Sequence, residues 1–257
     1  MNIISIIPAR MGSSRFPGKP MADILGIPMI GHVYKRVKMS KILNEVYVAT
    51  CDDEIFKYIE SIGGKAVMTS NCHERCSDRC AEAMLEIENN TGKKIDIMVM
   101  VQGDEPLTFP EMIDESLAPM LNDSSILITN LVGSLQTIKE FEDPNEVKVV
   151  TDKDNYALYF SREPIPSRKK GVSAVPMKKQ IPIIPFVRNF LVEYNRMEPT
   201  PLEIIESVDM MRIIENGKKV KMVPTKFRTK AVDTKEDLEI VKILMKDDPL
   251  FEKYLKV

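Results

Sequence analysis

Hydrophobic positions along this chain fall into short continuous runs separated by stretches of helical period. The first run, 3–7 (IISII), is β-branched and predicts a buried strand that stops at Pro8. Residues 29–39 carry Ile30, Val33 and Val37 on one helical face, and 45–50 (EVYVAT) read as a second buried strand. A helix over 52–62 closes at Gly63 and Gly64. A short strand follows at 65–68, a helix at 78–88, and a third strong strand at 95–101 (IDIMVMV). This alternation predicts an α/β fold with a mostly parallel sheet and helices on both faces. Ligands of such sheets bind outside the carboxyl ends of the strands. The loops 8–19 and 102–106 both leave strands at that edge, so they are expected to converge on one crevice.

The second half is less regular. Strands are predicted at 147–151 (VKVVT) and 157–160 (ALYF), joined by an Asp/Asn turn as a hairpin. Residues 164–186 are rich in Pro and Lys and read as a mobile or extended excursion. A single helix is predicted over 202–216, a strand over 220–223, and a final helix over 234–245 capped by Asp233 or Thr234. Without repeats or linkers, 1–257 reads as one domain with a smaller subdomain at roughly 143–215.

Composition narrows the chemistry. A formal net charge of −2 gives no footprint for nucleic acid or membrane, so any anion site must come from local clustering. Four cysteines without a secretory pattern at the first residues predict a reduced, cytoplasmic setting. Cys72, Cys76 and Cys80 are spaced by four, with His73 beside the first. On a helix they would share one face, which favours small apolar packing over a metal site.

The loop 8–19 (PARMGSSRFPGK) carries the first candidate chemistry. Its small residues allow close backbone approach, and Arg10, Arg15 and Lys19 set three cations within it. A triphosphate needs that, because charge develops on the departing pyrophosphate. The bland alternative is a flexible turn with solvated charges. The loop is not a Walker A motif, since GxxxxGK[ST] is absent.

The string IIPARMGSSRFPGKPMADILGIPMIGHV resembles the start of the 3-deoxy-manno-octulosonate (Kdo) cytidylyltransferases, with their IPAR-x-x-S-x-R-x-P-x-K-P and G-x-P-M-I-x-H-V patterns. The likeness continues in order. HERCSDRCAE (73–82) is similar to H-x-SGTER-x-AE, and VQGDEP (101–106) matches outright. DPNEVKVV (143–150), YALYFSREPIP (156–166), PTPLEIIESVDMMR (199–212) and AVDTKEDL (231–238) follow the family's later blocks. The resemblance implies a Rossmann-like nucleotidyltransferase that transfers CMP from CTP to an acidic acceptor, with Mg²⁺ held by Asp104 and Asp233, and a homodimer. Catalytic weight falls on Arg10, Lys19, Asp104 and Asp233. Pro8, Ala9, Arg10, Ser13, Arg15, Lys19 and Arg79 would hold the nucleotide. Gln102, Arg162 and one of Glu203 and Glu206 would meet the sugar acid.

Plain alternatives stand beside these roles. Asp104 reads equally as a turn residue, Asp233 as a helix cap and Arg79 as a solvated helix residue. Glu203 and Glu206 read as a helix surface pair, and His73 as a structural hydrogen-bonding group. The departures are concentrated. Where the resembled pattern has H-x-G-x-Y-x-YR, this chain has Gln180, Pro182, Ile184, Pro185 and Phe186, with Arg188 displaced by one. Arg75-Cys76-Ser77-Asp78 stands for SGTE. A site that loses hydroxyls and an imidazole discriminates differently. The expected acceptor is therefore Kdo, a modified Kdo, another ulosonic acid or a phosphonate. A catalytically silent nucleotide-binding paralogue is the alternative of another class; two retained metal-type carboxylates speak against it.

Overall fold

The computed structural model describes residues 1–13, 15–171 and 174–255, so Ser14 of the loop lies outside the described residues. The chain forms two compact units, Met1–Asp114 with Arg228–Val257, and Glu115–Phe227. In the first, strands β1 (Ile3–Ala9), β2 (Glu45–Thr50), β3 (Lys65–Met68) and β4 (Ile97–Val101) run parallel in the order β4–β1–β2–β3. Every residue of β1 and β4 is buried, which is why they read as apolar runs, interrupted only by Ser5 in β1. β1 runs two residues past its expected end, because proline has an extended φ and withholds only one donor. Helices α1 (Met29–Val37), α2 (Asp53–Ser61) and α3 (Cys76–Thr91) connect the strands. The chain steps outward from β1 to β3, then returns to the other side of β1 as β4. That reversal opens a crevice at the carboxyl ends of β1 and β4, where both candidate loops emerge. α3 begins at Cys76, so Cys72 lies outside the helix and the expected one-face cysteine stack does not form.

Helix α4 (Pro110–Asn122) carries the chain into the second unit. That unit holds strand β5 (Thr129–Ser134), helix α5 (Ile138–Glu142), and strands β6 (Lys148–Thr151), β7 (Ala157–Ser161), β8 (Lys178–Ile181) and β9 (Ile183–Val187). Helices α6 (Arg188–Tyr194), α7 (Pro201–Glu206) and α8 (Met210–Glu215) and strand β10 (Lys221–Pro224) follow. Its sheet has the order β10–β5–β8–β6–β7, and β6 and β7 form the expected antiparallel hairpin. The unit is broader than the expected subdomain at 143–215.

Two expectations are corrected. The excursion over 164–186 contains two strands, β8 and β9, divided at Pro182. β8 pairs with β5, and Phe186 of β9 bridges Ile128; burial of Ile181 and of the run from Ile183 to Phe186 outweighs the proline content. The single helix over 202–216 is two helices, broken at Ser207, whose φ of 52° is left-handed. Residues 107–142, whose pattern predicts no element, hold α4, β5 and α5. Pro119 inside α4 and Asn130 and Gly133 in β5 mask their periodicities.

The chain returns to the first unit as α9 (Lys235–Lys246) and α10 (Phe251–Leu255). Leu238, Val241 and Met245 pack with Phe16, Ile24, Met29, Leu107 and Val232 in one apolar cluster. Beside it, the fully buried Arg36 pairs with Asp248 at 2.9 Å and donates to the Tyr254 hydroxyl at 3.3 Å. That hydroxyl lies 2.8 Å from His32 Nδ1, while Nε2 lies 2.8 Å from the Ile24 carbonyl. Burial, reinforced by the Arg36 charge, pushes the His32 pKa down to about 4 from 6.5.

Two outcomes follow for stability. Asp248→Ala leaves a buried guanidinium without its counter-ion and is expected to cost about 3 kcal/mol in urea unfolding. His32 stays neutral in the folded chain, so between pH 6.5 and 4 the unfolded chain binds the extra proton and stability falls with pH. Taking the protein from pH 7 to 5 is expected to cost about 2 kcal/mol more than the same change costs a His32→Gln variant.

Candidate functional site

Loop 8–19 is anchored at three points. The Met11 N–H donates to Asp52 Oδ2 at 2.8 Å, and its carbonyl accepts from the N–H groups of Ser13 and Gly18, both at 3.0 Å. Phe16 inserts into the apolar cluster, with its N–H directed at Ser13 Oγ. Gly18, at φ 74°, turns the chain into a short 3₁₀ helix that starts with Lys19. The described residues of the loop are thus held by specific contacts at Met11, Phe16 and Gly18. Asp52 was readable only as the start of a helix; its place after a buried strand was the available signal.

The turn after β4 approaches β1 closely. A Cβ at Gly103 would stand 2.8 Å from the Pro8 carbonyl oxygen, so only glycine fits there without displacement. The Asp104 carbonyl accepts from the Val232 N–H at 2.9 Å, which draws the segment bearing Asp233 alongside. Thr234 caps α9: its hydroxyl accepts from the Asp237 N–H at 3.1 Å, and the Asp237 carboxylate returns the bond. Of the two expected capping residues Thr234 is the one used, and the Asp233 carboxylate is turned to other work.

Three distant segments meet at Lys19. Its Nζ lies 2.8 Å from Asp104 Oδ2 and 3.4 Å from Asp233 Oδ1, and Arg15 Nη2 reaches the same Asp233 oxygen at 2.9 Å. Burial opposes the Lys19 charge, but the two carboxylates outweigh it and raise its pKa. No group of three or more His, Cys, Asp or Glu side chains suited to a metal occurs among the described residues. Two partly exposed carboxylates that already share one cation nonetheless suit a hard divalent ion whose other ligands are phosphate oxygens and water.

Pro8, Ala9, Arg10, Ser13, Arg15, Lys19, Arg79, Gln102 and Asp104 all line one cavity of about 260 Å³. Arg79 is buried, not solvated: its Nη1 donates to Thr69 Oγ1 and the Ser70 carbonyl. Its buried Nη2 has no hydrogen-bond partner among the described residues. His73 also lines the cavity, with its ring bonded to Glu82. Cys76, named from sequence only for its cysteine spacing and for the departure from SGTE, is a further lining residue and donates to Gln102.

Arg162, Glu203 and Glu206 belong to the second unit. Arg162 donates to the Glu206, Pro144 and Ser207 carbonyls at 2.8, 2.9 and 3.2 Å. The Glu206 carboxylate accepts from Tyr159, Ser161 and the Arg162 N–H. Glu203 is corrected: it is neither a surface residue nor presented to a ligand. It is fully buried, with both oxygens 2.7 Å from the Arg212 guanidinium.

Comparison with known proteins matches these features to a family. A family model described as cytidylyltransferase covers residues 4–220. The 3-deoxy-manno-octulosonate cytidylyltransferase of Geotalea uraniireducens (strain Rf4) is 42% identical over 251 residues, 94% of this chain and 98% of the relative. That of Geobacter metallireducens is also 42% identical, over 94% of this chain and 96% of its own. A solved structure of a CMP:2-keto-3-deoxy-manno-octonic acid synthetase complexed with CTP superposes with a TM-score of 0.87 at 35% identity, covering 96% of this chain and 99% of that one. With its nucleotidyltransferase fold and these full-length matches, the chain belongs to the 3-deoxy-manno-octulosonate cytidylyltransferase family.

Proposed function

We propose that this protein transfers CMP from CTP to an eight-carbon ulosonic acid of the Kdo type and releases pyrophosphate, with Mg²⁺ as cofactor. The observation that carries the reading is the convergence of Arg15, Lys19, Asp104 and Asp233 from three segments of the chain. Arg10, Arg15 and Lys19 would hold the triphosphate and offset the charge that builds on the leaving pyrophosphate. Asp104 and Asp233 would hold the metal, which when bound supplies positive charge at the α-phosphate. Lys19 would then turn from the carboxylates to phosphate oxygen. Arg79, with a buried N–H still to be matched, supports anion binding in the same cavity. The acceptor hydroxyl attacks phosphorus in line, and no protein nucleophile is needed. Reduced cysteines suit a cytoplasmic reaction, and the family resemblance favours a homodimer.

The segment 180–188 supports an acceptor that differs from Kdo itself. Ile184 and Phe186 are core residues, and the Gln180 side-chain amide donates to the buried Asn130. Those positions therefore lack the hydroxyls and imidazole that the tyrosines and histidine of the resembled pattern carry. Arg188 opens α6 in place of ending a strand.

Pyrophosphate release with CTP and Mg²⁺ across Kdo, modified Kdo, other ulosonic acids and phosphonates is expected to single out a ulosonic acid. Kdo as the best acceptor would refute the assignment from 180–188, and silence with every acceptor would favour the non-catalytic paralogue. Asp104→Asn and Asp233→Asn are each expected to lower kcat by about a hundredfold or more, with little change in thermal midpoint. Near-normal turnover in either would remove that carboxylate from the proposed metal site.

A further inference from the structure

Cys76 is the first residue of α3, so the helix fixes its backbone. Its Sγ donates to Gln102 Oε1 at 3.2 Å, and both side chains line the cavity that holds Arg10, Arg15 and Lys19. The Gln102 backbone is fixed as well. Gly103 abuts the Pro8 carbonyl, and the Gln102 carbonyl accepts from the Glu105 N–H at 3.4 Å. What remains undetermined in Gln102 is the orientation of its terminal amide.

A glutamine amide is nearly symmetric in shape but not in chemistry, since a flip exchanges one acceptor oxygen for two N–H donors. In the structure the Cys76 S–H is donated to the amide oxygen, although a thiol sulfur is itself a weak acceptor. With that bond made, the orientation present leaves the Gln102 N–H groups for a ligand. We propose that Cys76 is a positioning residue: through Gln102 it sets the site to accept a ligand oxygen, carboxylate or hydroxyl, from the acidic acceptor. The proposal rests on the reading above that Gln102 meets the acceptor. The resembled SGTE pattern has glycine at this position, where no side chain is available for the task, so the device belongs to this chain. Its value is preorganisation, because a long amide side chain fixed beforehand loses less freedom when the ligand arrives.

Two readouts test it. In the substrate-free protein, the ¹⁵N-labelled Gln102 side-chain amide resonances are expected to shift in Cys76→Ala and to move back in Cys76→Ser, whose hydroxyl can donate likewise. Resonances unchanged in Cys76→Ala would overturn the proposal, and this measurement needs no activity. In kinetics, Cys76→Ala is expected to raise the acceptor KM about three- to tenfold, with the CTP KM and kcat within about twofold of the parent. Cys76→Ser should restore most of the loss. In a Gln102→Leu background the Cys76→Ala effect should vanish, because its target is gone. An effect that persists there, or one spread over the CTP KM and kcat, would show that the thiol does not act through Gln102. A parent protein that turns over no ulosonic acid would refute the proposed function, leaving the resonance test to decide on Cys76.

Discussion

The shared ion pair at Lys19 sets the geometry of the candidate site in the first unit. One ammonium group holds Asp104 and Asp233, and Arg15 holds Asp233 from the other side. The four residues come from the loop after β1, the turn after β4 and the approach to α9. Two carboxylates gathered this closely would repel each other without a cation between them. A cation on the loop therefore fixes the position of acids that arrive much later in the chain. Phe16 works in the same direction by different physics, pinning the loop between its two outer cations through apolar burial. Fold and site thus share an anchor: the residues that would grip phosphate sit on a loop that is itself a piece of the core.

This division explains what could be read from residues alone. Strands β1 and β4 are buried on both sides and β2 over most of its length, so they announce themselves as apolar runs, and their parallel order follows from the helices between them. The carboxyl-edge crevice was accessible for the same reason. The anchoring was not. Asp52 reaches the Met11 N–H across forty-one positions, and nothing local marks it as a loop anchor. Arg79 carries helix-surface character in sequence, and only tertiary packing buries it. Thr234 and Asp233 were equally good caps on paper; the bond between Val232 and Asp104 decides between them by setting the direction from which the chain enters the helix.

The second unit resists the same reading because its elements are short and locally contradictory. Pro185 sits within β9, Asn130 and Gly133 within β5, and Ser207 takes a left-handed backbone between α7 and α8. Each feature weakens a local propensity and is offset by a tertiary partner. Asn130, for example, donates to the Ile181 and Ile183 carbonyls on either side of Pro182, where the ladder is interrupted. Glu203 makes the same point. An exposed pair was the natural inference from its spacing, whereas the Arg212 pairing is visible only once the helix is known to break.

The Thr234 cap has a consequence for how variation in this protein is interpreted. When one side chain serves both helix integrity and chemistry, a substitution confounds the two, and lost activity cannot be told from lost structure. Here adjacent residues divide the tasks: the Asp237 box with Thr234 holds the end of α9, and Asp233 is spared that duty. Natural or engineered changes at 233 can therefore be interpreted chemically, while those at 234 register as helix fraying. Lys19 and Phe16 offer no such separation, and selection acting on either must satisfy the scaffold and the ligand at once.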